Sequence, residues 1–176
     1  MLAVGTIVWL ASELMFFGGL FAAYFTLRST AHTWPPATVH LETLTATIAT
    51  VVLIASSFTI HLATRSRERE DRIMMQRWLL VTLALGVLFL ANQVREFYVL
   101  DFSVSSSGFS SVYYLMTGFH ALHVLAGLAL IVAAVVVTTG PGSLSRRGPA
   151  VESVTYYWHF VDVVWVLLFL TLFVLR

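Results

Sequence analysis

The 176-residue sequence contains no cysteine. That absence excludes disulfides, thiolate nucleophiles, iron–sulfur clusters and any copper centre that requires a cysteine ligand. Lysine is missing as well, so all ten cations are arginines. Charge of either sign is scarce, with Asp, Glu and Arg together at 11%, against roughly 25% in a typical soluble domain. The net charge is only +1, which leaves no basic footprint for nucleic acid. The first apolar run has no charged leader, is too long for a secretory signal and has no cleavage site behind it. It is expected to stay in the protein.

Apolar residues, by contrast, make up 59% of the chain. A hydrocarbon core of ~30 Å needs about 20 apolar helical residues, and five stretches meet that length, at about 2–27, 39–63, 74–98, 110–138 and 150–175. The breaks between them have physical causes. "RSTAHTWPPAT" places Pro35 and Pro36 after a polar stretch, and "TRSRERED" is a dense charge cluster. "DFSVSSSG" is rich in serine, and "TGPGSLSRRGP" is full of helix breakers. The predicted fold class is all-α: one polytopic membrane domain over 1–176, a bundle of five transmembrane helices. An odd number of crossings puts the termini on opposite sides. Arg65, Arg67, Arg69, Arg72, Arg77, Arg146 and Arg147 fall on the side of the N-terminus; Arg28, Arg95 and Arg176 fall on the other. The positive-inside rule then predicts a cytoplasmic N-terminus and a C-terminus outside.

The polar residues inside these spans carry the functional question. Glu13 lies near the middle of "VGTIVWLASELMFFGGLFAAYF", where an unpaired charge is expensive. In the fifth span Glu152, Thr155, His159 and Asp162 are spaced by three, four and three residues, so they share one helix face. At ~1.5 Å rise per residue, Asp162 and Glu13 lie ~18 and ~15 Å into their spans, at similar depth. The i, i+3 spacing of His159 and Asp162 predicts a direct pair. His120, His123 and Gly127 share a face of the fourth span, and Asn92, Gln93 and Glu96 end the third. Two small-residue stripes, Gly5–Ser12–Gly19–Ala23 and Leu122–Ala126–Ala129–Ala133, predict close helix packing. Trp34, Tyr98, Tyr113, Tyr114, Tyr156, Tyr157 and Trp158 lie near span ends, where an interfacial belt is expected.

Two kinds of role compete for these residues. The favoured one is hydrogen bonding that ties helices together; the other is a proton pathway through Glu13, or through the strip that ends at Asp162. Haem or metal ligation by His120 and His123 is disfavoured. Haem-binding bundles use histidines at matched depth on different helices, whereas His61 lies at an inner end and His40 at an outer end.

Five motifs occur in order: "SELMFFGGLFAAYF", "WPP", "LIASSFT", "TGFHALHVLAG" and "YYWHFVDVVWVLLF". Together they resemble subunit III of the haem-copper terminal oxidases, in particular bacterial cytochrome c oxidase, in a five-helix form. Longer members of that family have two further N-terminal helices. Where the family often has an aromatic residue between glycine and glutamate at the end of the third helix, "QVREF" carries Arg95, whose guanidinium is expected to pair with Glu96.

The resemblance implies a stabilising, non-redox subunit of a proton-pumping cytochrome c oxidase in a bacterial plasma membrane. Such a subunit would have no catalytic residue, no metal and no cofactor of its own. Haem and copper would sit in partner subunits, which oxidise cytochrome c and reduce oxygen to water. Its partners would be subunit I by direct contact, subunit II within the complex, and bound phospholipids, with a cytochrome bc complex in a respiratory supercomplex. By position in the motifs, Glu13 corresponds to the family's buried carboxyl, associated with proton uptake. Glu96, His120, His123, Glu152, His159 and Asp162 would be intramembrane contacts to helices, lipid or partner. The competing readings are subunit III of a quinol oxidase, an accessory protein of a nitric oxide reductase, and an independent proton-coupled transporter.

Overall fold

The computed structural model describes the backbone of residues 2–36, 39, 41–140 and 144–175, and the side chains of 5–36, 39, 41–140 and 150–175. It contains five long helices: α1 (Leu2–Thr30), α2 (Thr43–Glu68), α3 (Arg72–Val99), α4 (Gly108–Thr139) and α5 (Leu144–Phe169). The last continues into a wider π turn over Leu170–Val174. Each helix is long and apolar enough to cross a membrane.

The helix ends follow from local chemistry. Asp71 caps α3 by accepting a hydrogen bond from the Met74 amide at 3.0 Å, and Ser107 caps α4 by accepting one from Ser110 at 3.1 Å. The α2–α3 turn is tight. Glu70 takes a left-handed conformation, φ 57°, so that the Asp71 amide can close back on the Ser66 carbonyl.

Cross-helix contacts fix the topology. Thr59 meets Thr82, Gln76 meets Thr138 and Glu96 meets Tyr113, so α2, α3 and α4 run antiparallel in sequence. Thr50–Trp165 and Thr64–Thr155 set α2 antiparallel to α5. Helices α2, α3, α4 and α5 therefore close a four-membered ring. Helix α1 lies outside it, chiefly against α4 and α5. Trp9 stacks on Tyr157 and Tyr24 bonds to the Thr171 carbonyl, so α1 runs parallel to α5.

At the centre is Trp158 of α5, fully buried. Its indole N–H donates to Ser56 Oγ of α2 at 2.9 Å. Its ring lies against two helix backbones: a Cβ built on Gly86 of α3 would come within 2.6 Å of it, and one on Gly127 of α4 within 2.9 Å. Here glycine is required by close approach. Trp165 likewise donates to Thr50 of α2 at 3.0 Å, so both indoles are buried with their polar atoms satisfied.

Several sequence expectations give way to this packing. Gly5 and Gly19 of the α1 stripe have nothing within 4 Å of a would-be Cβ, and Ser12 and Ala23 are exposed. The α1 side that meets the bundle carries Phe17 and Tyr24. Leu122, Ala126, Ala129 and Ala133 are exposed too, while α4 buries His120, Val124, Gly127, Ile131 and Ala134. Without a hydrophobic driving force in lipid, packing follows shape, and the bulky indoles of α5 determine which small residues are covered. The expected aromatic belt splits for the same reason. Tyr98 and Tyr156 face outward, but Tyr113, Tyr157 and Trp158 are core residues.

Candidate functional site

The intramembrane polar residues form separate groups at helix interfaces. The first joins α1 to α4. Glu13 Oε2 lies 3.2 Å from His123 Nε2, and His123 Nδ1 lies 2.7 Å from the Phe119 carbonyl. A carbonyl can only accept, so Nδ1 carries a proton there. The Glu13–Nε2 contact then needs one shared proton, on the carboxyl or on the ring, and either arrangement leaves the pair without net charge. That neutrality makes it tolerable between Phe16, Phe17 and Phe119, which pack around it. The pair is not sealed: its side chains remain 24% and 16% exposed for Glu13 and His123.

The second group runs along the α2–α5 seam. Glu152 meets Arg67 at 3.6 Å and accepts from Tyr156 at 3.2 Å. One turn on, Thr155 bonds Thr64 at 3.0 Å. Deeper still, Ser57 donates its hydroxyl proton to Asp162 and lies 3.1 Å from His159 Nδ1. Having given its proton to the carboxyl, Ser57 accepts one from the ring, so the bonds run in one direction from His159 through Ser57 to Asp162. The four α5 residues share a face, and that face is turned to α2. The expected direct His159–Asp162 pair is replaced by a serine bridge, because the two side chains lean toward α2 rather than along their own helix.

The third group lies at the opposite end of the ring. Tyr113 of α4 donates to Glu96 of α3 at 2.8 Å. Arg95 does not pair with Glu96; it meets Glu42 at 3.7 Å. Neighbouring residues on a helix point about 100° apart, so the inward Glu96 is out of reach of the outward Arg95. Glu42, Glu96 and Asp101 line a small pocket of about 120 Å³.

His120 and His123 also diverge. His123 faces α1, whereas His120 is fully buried between Phe89 and Trp165, with ring centroids 5.9 and 5.0 Å away. Neither His120 ring nitrogen has a hydrogen-bond partner among the described residues. Among the described residues no group of three or more His, Cys, Asp or Glu is placed to hold a metal ion.

Glu13 and Asp162 are not brought together. The α1–α5 register puts Glu13 beside Phe160 and Val161, near the level of Asp162, but the two carboxyls serve different interfaces. His40 lies outside the described residues. Reasoning from sequence missed the partners on the facing helices: Ser57, Thr64, Arg67 and Tyr113. One signal for them was present, because Thr50, Ser57 and Thr64 recur every seven residues and mark the α2 face that meets α5.

A family model described as cytochrome c oxidase subunit III matches residues 1–175. The chain belongs to the cytochrome c oxidase subunit III family. Its relatives include the probable cytochrome c oxidase subunit 3 of Mycobacterium leprae, 46% identical over 180 residues, covering 100% of this chain and 89% of the relative. The corresponding protein of Nocardia farcinica is 44% identical with the same coverage. Cytochrome c oxidase subunit 3 of Thermostichus vulcanus is 40% identical over 173 residues, covering 98% of this chain and 86% of the relative. As a subunit III, the chain is part of an oxidase, an oxidoreductase complex, and it is a multi-pass protein of a bacterial membrane. The polar groups described above are thus features of a membrane subunit that works beside others.

Proposed function

We propose that this subunit III braces the oxidase and has no catalytic centre of its own, and that oxygen reduction and proton translocation belong to its partners. One observation carries the reading: Glu13, Glu96, His123, Glu152, His159 and Asp162 are each engaged across a helix interface by a hydrogen bond or ion pair. Glu13–His123 ties α1 to α4, Ser57–His159–Asp162 and Arg67–Glu152 tie α2 to α5, and Tyr113–Glu96 ties α4 to α3. Buried polar groups arranged in this way specify one packing of otherwise interchangeable apolar helices.

Haem and copper are then held by subunits I and II, and cytochrome c is the electron donor. A direct contact with subunit I is supported by α1, of whose apolar span only 6% is buried, against 56% for α5. A lipid-holding role is supported by an apolar groove of about 320 Å³ between α1, α4 and α5, lined by Trp9, Leu130, Val137 and Val154 among others, a lining suited to an acyl chain. The end of the bundle bearing the Arg65–Arg77 turn faces the cytoplasm, and association with a cytochrome bc complex is a further level of assembly. Purification in mild detergent tests the whole reading. The chain should co-migrate with haem absorbance and with a dicopper-bearing subunit, and should be colourless once separated. A chain that runs alone, or that binds haem by itself, refutes the proposal.

A further inference from the structure

The outer half of the α3–α4 seam holds polar atoms that the bracing role does not use. Helix α3 buries Phe89, Gln93 and Glu96 there, and α4 buries Tyr113, Thr117 and His120. Two contacts set the antiparallel register: Glu96 to Tyr113 at the rim, and Phe89 to His120 deeper in. Gln93 lies between them, at the level of Thr117 and one turn from His120. The His120 imidazole is completely buried, Gln93 is only 2% exposed, and both His120 nitrogens and Gln93 Nε2 have no protein partner among the described residues. Three such atoms within two helical turns are far from the usual state of buried polar groups.

The chemistry of these atoms selects the ligand. A neutral imidazole offers one donor and one acceptor, and the Gln93 nitrogen only donates. Whatever joins them must both donate and accept. A metal cation is unsuited to the amide N–H groups, and an anion is unsuited to the unprotonated ring nitrogen. Water meets both demands and is the smallest ligand that does. The seam lies close to a polar pocket at the rim, because Glu96, one turn from Gln93, lines that pocket with Glu42 and Asp101. We propose that the outer half of the α3–α4 seam binds internal water, anchored by the His120 imidazole and the Gln93 amide and supplied from the rim pocket at Glu96.

The test is electron cryo-microscopy of the purified oxidase complex at a resolution that shows ordered water. Density should lie within hydrogen-bonding distance of a His120 ring nitrogen and of the Gln93 amide, and the density at the ring should vanish in His120→Phe with the helices unmoved. Ring nitrogens that meet only carbon, or that bond directly to a protein group, overturn the proposal. If His120→Phe does not assemble, magic-angle NMR on the wild-type complex with ¹⁵N-labelled histidine decides alone. Water-to-imidazole magnetisation transfer at His120 supports the site, and its absence overturns it.

Discussion

Replacing Ser57 by alanine removes the hydroxyl that bonds both His159 and Asp162. The variant keeps the helix and nearly the same volume, so the loss is confined to two hydrogen bonds. A bond to a neutral ring is worth about 0.5–1.5 kcal/mol and one to a carboxylate about 1.5–3 kcal/mol. Relaxation recovers part of this, which leaves an expected cost of about 2–4 kcal/mol. At about 2–4 °C per kcal/mol for a chain of this length, the melting midpoint of subunit III should fall by about 5–15 °C. Subunit retention after graded heating of the detergent-solubilised complex reads this directly. A double-mutant cycle with Asp162→Leu sharpens it. Once the carboxyl is gone, Ser57 can turn back to its own helix, so the two substitutions together should cost at least about 1 kcal/mol less than their sum. Turnover and proton pumping, measured before any subunit is lost, should be unchanged. A neutral Ser57→Ala, strict additivity, or an immediate fall in pumping with the complex intact would refute the reasoning; the last result would make the seam a proton path.

Glu13→Gln should retain assembly and turnover, since an amide N–H can still donate to His123 Nε2. Glu13→Ala leaves that nitrogen unpartnered and should weaken subunit retention by about 1–3 kcal/mol. Gly127→Ala gains about 1 kcal/mol of helix propensity, but it drives a methyl to within 2.9 Å of the Trp158 ring and 3.2 Å of Tyr157. Overpacking of about 1–3 kcal/mol should outweigh the gain, lower the melting midpoint and perturb near-ultraviolet circular dichroism. Glu70→Gly relieves a left-handed residue in the α2–α3 turn and should raise stability by about 1 kcal/mol with no effect on turnover.

The five-helix architecture was legible because a bilayer imposes length and polarity on each segment separately. The shared face of Glu152, Thr155, His159 and Asp162 was legible for a related reason, since periodicity within one helix is a local property. Partners were not. That Arg95 turns to Glu42 rather than Glu96, and that a serine stands between His159 and Asp162, depends on a second helix whose position no spacing within the first can supply.

Sequence alone thus determined how many times the chain crosses, where it turns, and which polar groups must be kept from lipid. Only the tertiary structure decided that α1 stands outside a ring of four helices, that Glu13 belongs to His123 rather than to Asp162, and that His120 and His123 part company. The physical reason is that apolar helices in lipid have no hydrophobic preference for one neighbour over another. The choice falls to shape and to a few hydrogen bonds, above all to how the Trp158 indole fits between Gly86 and Gly127.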